Sequence, residues 1–157
     1  MKANGILLLA VLATGCASHP RTVAAPAPGS ADGGAAGIFL QRSTDKSPEA
    51  VVEAIRAYAE ARKWPYLGAD KVKQGQVTLV KVCIPEVGQQ LWQVGLHVSA
   101  MLPCGNLGVY RNEDGKTGIS LLHPRYMQLL HPGPTVAKAA ATAEPLLIGM
   151  LDAVAGE

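Results

Sequence analysis

Apolar positions recur with helical spacing directly after Ser47, and this is the clearest pattern in the chain. One face of the predicted helix, which ends near Arg62, carries Val51, Val52, Ile55, Tyr58 and Ala59. Ser47 is suited to cap the first turn, and Pro48 is suited to the first helical position. The pattern therefore predicts an amphipathic helix whose apolar stripe faces a core.

Patterns typical of strands precede and follow this helix. Apolar and β-branched runs predict strands at residues 37–42, from Trp64 to Leu67, and at 76–83. Residues 107–111 and 116–121 flank the loop Asn112-Glu113-Asp114-Gly115, which predicts a hairpin because Gly115 can adopt a positive φ. Strands separated by helices indicate one α+β domain in which helices pack on a mainly antiparallel sheet.

Three further helices are predicted in the second half of the chain. The first begins at Pro85 and is expected to bury Val87, Leu91, Val94 and Trp92. A short helix is predicted over 124–130. An Ala-rich helix is predicted over 135–155, where Pro145 is expected to kink or split it.

The first 16 residues have the pattern of a bacterial lipoprotein signal. Lys2 precedes an apolar run over 6–12 that is too short to cross a bilayer. The small residues Ala13-Thr14-Gly15 then precede Cys16, as a lipoprotein signal peptidase requires. We expect residues 1–15 to be removed and Cys16 to bind the membrane through its acyl chains. A simple secretory signal, which needs no cysteine, is the competing interpretation.

The sequence after Cys16 predicts how the folded domain is attached to the membrane. Residues 17–37 are almost entirely Ala, Pro, Gly and Ser, so 16–37 is interpreted as a lipidated cysteine with a tether that spans roughly 25 Å. Residues 38–157 then form the folded domain. Ala17 stands where Asp would retain a Gram-negative lipoprotein in the inner membrane. We therefore expect anchoring in the outer membrane, facing the periplasm.

The charge of the chain excludes one class of partner. It carries 14 Lys and Arg against 12 Asp and Glu, with no basic run. A nucleic-acid partner requires a basic face that releases counterions, so none is expected. Membrane lipid, a second copy of the chain and another envelope protein are the candidate partners.

Several short motifs in order resemble the DUF302 family of small bacterial domains. Val80-Lys81-Val82-Cys83-Ile84-Pro85 resembles the family's C-N-P element, with Ile84 in place of Asn, and Met101-Leu102-Pro103-Cys104 resembles L-P-C. Val109-Tyr110 with Glu113-Asp114-Gly115-Lys116 is similar to its hairpin, and His123-Pro124 follows. The resemblance covers roughly residues 43–154. It implies a small α+β fold, often dimeric, and it implies no catalytic residues.

Cys83 and Cys104 form an even pair once Cys16 is lipidated. Each lies beside a proline-marked turn, and outside the cytoplasm a nearby pair tends to oxidise. A structural disulfide, a redox-active pair, metal or haem-iron ligation, and two unpaired buried thiols all remain open. Lys81 is the nearest sequence support for a lowered thiol pKa.

The remaining candidates for chemistry are histidines and aromatic residues. His97, His123 and Trp92 are candidate ligand-binding residues, and His131 is a further candidate metal ligand. The histidine spacing matches no metal motif, so no metal and no cofactor are expected, and no enzyme signature is present. The leading hypothesis is a non-catalytic envelope module that binds a small ligand or a protein. The alternative is a thiol-based redox or sulfur-handling protein that uses Cys83 and Cys104.

Overall fold

The computed structural model describes residues 37–101 and 107–157. Five strands pair in the order β1-β5-β4-β3-β2, and every pairing is antiparallel. The strands are β1 Phe39–Thr44, β2 Tyr66–Val72, β3 Val77–Val82, β4 Leu107–Arg111 and β5 Thr117–Leu122. The helices are α1 Pro48–Ala61, α2 Pro85–Trp92, α3 Met127–Leu130 and α4 Pro134–Ala155. Short 3-10 helices are formed by Lys73–Gly75, Leu96–Met101 and Pro124–Tyr126.

The predicted α+β class is confirmed, because helices pack on one antiparallel sheet.

The following predicted features lie outside the described residues: the signal peptide, the lipid site at Cys16, the tether up to residue 36, and Cys104. Among the helices of the two described segments, none combines the length and the apolar run that a membrane crossing requires.

The core lies between the sheet and the helices, and strand alternation selects the side chains that enter it. Along β3, Thr78, Val80 and Val82 are buried, whereas the side chains between them are partly exposed. Their neighbours on β4 and β5 include Leu107, Val109 and Ile119, each at most 1% exposed. This period of two is what a sheet with one covered face requires.

The first helix forms as its sequence predicts. The Ser47 hydroxyl accepts a hydrogen bond from the Ala50 N–H at 3.2 Å, and Pro48 occupies the first turn. Val51, Ile55 and Ala59 are fully buried one turn apart. The cap satisfies a backbone donor that would otherwise lack a partner at the helix start, so local sequence and packing select the same helix.

The predicted hairpin is also confirmed. β4 and β5 pair through Arg111 and Thr117, and Gly115 in the loop has φ 82°. The Asp114 carboxylate accepts a hydrogen bond from the Lys116 N–H at 2.9 Å. An acidic side chain that bonds its own loop two residues on stabilises such turns.

The expectation that Pro145 would split the C-terminal helix is wrong. α4 continues through Pro145 to Ala155. Pro145 lies on the exposed side of the helix, whereas Ala143 and Leu147 beside it are buried. The carbonyl that loses its partner therefore faces solvent, and packing on the opposite side holds both halves together.

Hydrogen bonds join both ends of β1 to the C-terminal part of the domain. Beyond the Phe39 end of the strand, the Ile38 carbonyl accepts a hydrogen bond from the His123 N–H at 2.9 Å, a few residues before α3 and α4. At the other end, the Thr44 hydroxyl donates to the carbonyl of Ala155 at 2.9 Å. The described chain therefore begins beside the turn that leads into α3.

Candidate functional site

Two histidines that are far apart in the sequence lie close together in the fold. The ring centroids of His97 and His131 lie 6.0 Å apart, with the ring planes inclined at 42°. His97 is the second residue of the 3-10 helix Leu96–Met101, and His131 directly follows α3. The contact brings the segment after α2 against the segment before α4.

Gly95 determines how the first of these segments turns. Its φ is 146°, in the region that favours glycine, and a Cβ built there would lie 2.8 Å from His97 Cε1 and Nδ1. Only a residue without a side chain lets the imidazole pack against the turn. Gly95 therefore positions His97.

Large apolar side chains are exposed in the two segments that carry these histidines. Leu96 is 80% exposed, Leu129 73%, Leu130 67% and Trp92 46%. A folded domain normally leaves single apolar residues in water, and a group of them is typical of an interaction site. We call this group, formed by Trp92, Leu96, His97, Leu129, Leu130 and His131, the histidine surface.

Both segments that form the histidine surface lack formal charge. Residues 87–110 contain no Asp, Glu, Lys or Arg, and neither do residues 126–137. Charged residues are also depleted in the centre of protein interfaces. This absence of charge over two long runs is the sequence signal that could have located Leu96, Leu129 and Leu130 as functional candidates.

Trp92 is exposed, and the expectation that it is buried is wrong. The buried stripe of α2 is formed by Val87, Gly88 and Leu91. Trp92 follows Leu91 by one residue, which turns its side chain about 100° away from that stripe. Trp64, by contrast, is only 4% exposed and belongs to the core.

One polar atom in the histidine surface has no partner. Nδ1 of His131 is shielded from solvent, and no residue in the described segments hydrogen-bonds to it. Buried polar atoms nearly always have partners, so this nitrogen is an exception within the described segments. His97, in contrast, is exposed.

His123 has a structural role away from the histidine pair. It is 5% exposed, and its Nδ1 accepts a hydrogen bond from the Arg125 N–H at 3.2 Å at the start of the 3-10 helix. Its Nε2 lies 3.6 Å from the Glu144 carboxylate. Burial lowers the pKa of His123, the Arg125 charge lowers it further, and Glu144 opposes both. His123 is thus a neutral turn-forming residue near pH 7.

Cys83 lies directly after β3, and its thiol is partly buried. Its N–H donates to the Pro65 carbonyl at 2.8 Å, which closes the end of the β2–β3 pair. Its pairing with Cys104 stays a prediction, because Cys104 is outside the described residues. The redox alternative gains no support from the surroundings of Cys83.

The histidines do not belong to a cluster of metal ligands within the described segments. Among residues 37–101 and 107–157, no three His, Cys, Asp or Glu side chains cluster closely enough to hold a metal ion. The arrangement at the histidine surface is suited instead to apolar contact, with two imidazoles that can donate or accept hydrogen bonds.

Comparison with protein families identifies the family that the short motifs resemble. The model of the family described as "Domain of unknown function DUF302" matches residues 40–154. The chain belongs to the DUF302 family. Among curated proteins, none matches it.

A solved structure has the same fold. The crystal structure of an uncharacterized conserved DUF302 protein from Bacillus stearothermophilus is similar to this chain, with a TM-score of 0.67 and 20% identity. The match covers 76% of this chain and 99% of that chain. Almost the whole of that chain is therefore matched by about three quarters of this one.

The residue candidates therefore divide into three groups. Trp92 and His97 belong to the histidine surface, together with His131 and three leucines. His123 and Cys83 lie elsewhere in the DUF302 domain and close turns. Cys16 and Cys104 are outside the described residues.

Proposed function

We propose that this chain is an envelope lipoprotein whose DUF302 domain is a non-catalytic binding module. Lipid on Cys16 holds it at the outer membrane, where it faces the periplasm. The residues after Cys16 tether the domain, and the histidine surface is the part that binds. The sequence leaves a small ligand or a protein as the partner. Crosslinking from the histidine surface can capture either class.

One observation supports binding more than any other. Leu129 and Leu130 are exposed by 73% and 67%, next to the contact between His97 and His131. Exposed leucines gain free energy when a partner removes them from water, at about 25 cal/mol per Å² of apolar area.

Anchoring is tested by replacing Cys16 with Ala in the full chain. The native chain should be recovered in the membrane fraction, with acyl chains on Cys16 detected by mass spectrometry. The C16A chain should lose the lipid and leave that fraction. If the native chain carries no lipid at Cys16, the lipoprotein proposal is wrong.

Binding is tested by placing a photo-crosslinking amino acid at Leu129 of the full chain in cells. Val72, which is 37% exposed at the far end of β2, is the matched control position. Irradiation should produce an adduct at position 129 and not at 72, and its mass gives the class of partner. Equal labelling at both positions would show that the histidine surface is not a binding site.

A further inference from the structure

We infer that the partner of the histidine surface is the membrane itself: the domain docks on the lipid leaflet in which its own anchor is embedded. This inference rests on the proposed function, because it requires the lipid at Cys16. It names the partner as a bilayer, rather than a protein or a second copy of the chain.

The first argument is where the tether joins the domain. The Gly37 carbonyl accepts a hydrogen bond from the Arg125 guanidinium at 2.8 Å, and the Ile38 carbonyl accepts one from the His123 N–H at 2.9 Å. Arg125 is two residues before α3, which carries Leu129 and Leu130. The described chain therefore enters the domain beside the turn that leads into α3.

The length of this segment allows contact with the membrane. Residues 17–36 separate Cys16 from Gly37, and a chain of this length can reach at most about 70 Å. A domain held so close to a bilayer meets it at a high effective concentration. A weak apolar contact is then sufficient to orient the domain.

The second argument is that apolar exposure continues around the point where the chain enters. Ile38 is 40% exposed, Phe39 55% and Leu122 44%, and the β1–β5 register places Phe39 opposite Leu122. Leu40 packs against the core, so Phe39 and Leu122 lie on the uncovered face of the sheet, at the end where the chain enters. Elsewhere in the described segments, the large hydrophobic residues exposed to this degree are Leu67 and Val72 on β2.

The third argument is the charge around α3. The uncharged run 126–137 is bounded by Arg125 and Lys138, both basic. Each basic side chain near an anionic leaflet is attracted to it by about 1 kcal/mol. The bilayer would bury the leucines and leave the two cations near the headgroups.

The test uses tryptophan emission in the lipidated full chain. Leu129→Trp is compared with Val72→Trp, each in a W92F background in which buried Trp64 is the other tryptophan. Both proteins are reconstituted in vesicles of phosphatidylethanolamine and phosphatidylglycerol whose acyl chains are brominated, so that only tryptophans in contact with lipid are quenched. We expect strong quenching of L129W and none of V72W.

A second variant measures the energetic role of the leucines. The domain 37–157 without its anchor should bind the same vesicles weakly, and the double substitution L129D/L130D should reduce binding about tenfold or more for each leucine lost. Circular dichroism confirms that the variant is folded.

The outcomes separate this inference from the proposed function. If the lipidated chain is embedded in the vesicles and L129W is not quenched, membrane docking is wrong while anchoring stands. If the chain carries no lipid at Cys16, the proposed function fails first. A protein adduct at Leu129 in cells, or a dimer of the domain that L130D dissociates, would also overturn the inference.

Discussion

Leu91→Ala and Leu130→Ala should affect folding very differently, although both remove the same atoms from a helix. Leu91 is fully buried in α2, whereas Leu130 at the end of α3 is 67% exposed. A buried Leu→Ala substitution leaves a cavity and lowers the free energy of unfolding by about 2–5 kcal/mol. Leu130 has only about a third of its surface buried, so its replacement should cost less than about 1 kcal/mol.

The two values translate into separable melting temperatures. For a domain of this size, 1 kcal/mol corresponds to roughly 4 °C. L91A should therefore melt about 8–20 °C below the native domain, and L130A within about 4 °C of it. Thermal and urea unfolding of residues 37–157, followed by circular dichroism, give both values.

The result that would refute this reasoning is a large loss of stability in L130A. A cost equal to that of L91A would mean that Leu130 is covered when the domain is folded in solution. A melting temperature that rises with protein concentration would then identify a second copy as the cover. The exposed character of the histidine surface depends on this comparison.

Three further predictions concern the rest of the domain. Burial lowers the pKa of His123 below its usual value of about 6.5. The unfolded chain therefore binds a proton on this histidine more readily than the folded domain does. The free energy of unfolding should thus fall as the pH decreases through about 6.5. Urea unfolding at several pH values should show this slope, and H123Q should reduce it. Gly118→Val should destabilise the sheet by about 1–3 kcal/mol, because even a Cβ would lie 2.7 Å from the Tyr110 ring; an unchanged urea midpoint would contradict this contact. Ser47→Ala should cost about 1 kcal/mol through loss of the α1 cap, whereas Ser47→Asp should retain most of it in the same assay.

A helix start or a turn can be predicted from sequence where one short segment contains the residues that determine it. Ser47 and Pro48 mark the start of α1, and Gly115 marks the β4–β5 turn, so both features could be predicted. The effect of Pro145 on α4 could not be predicted from its neighbours in the sequence. Its effect on α4 depends on whether it faces solvent or the core, and the packing of the whole domain determines that.

The same division applies to the histidine surface. The sequence by itself determined that residues 87–110 and 126–137 carry no charge, that His97 and His131 are present, and that the chain has a lipoprotein-like start. Only the tertiary structure decided that these two runs meet, 6.0 Å apart at the rings, and that Leu129 and Leu130 are left outside the core. Helical periodicity shows which side chains share a face, whereas burial depends on what the rest of the chain places against that face.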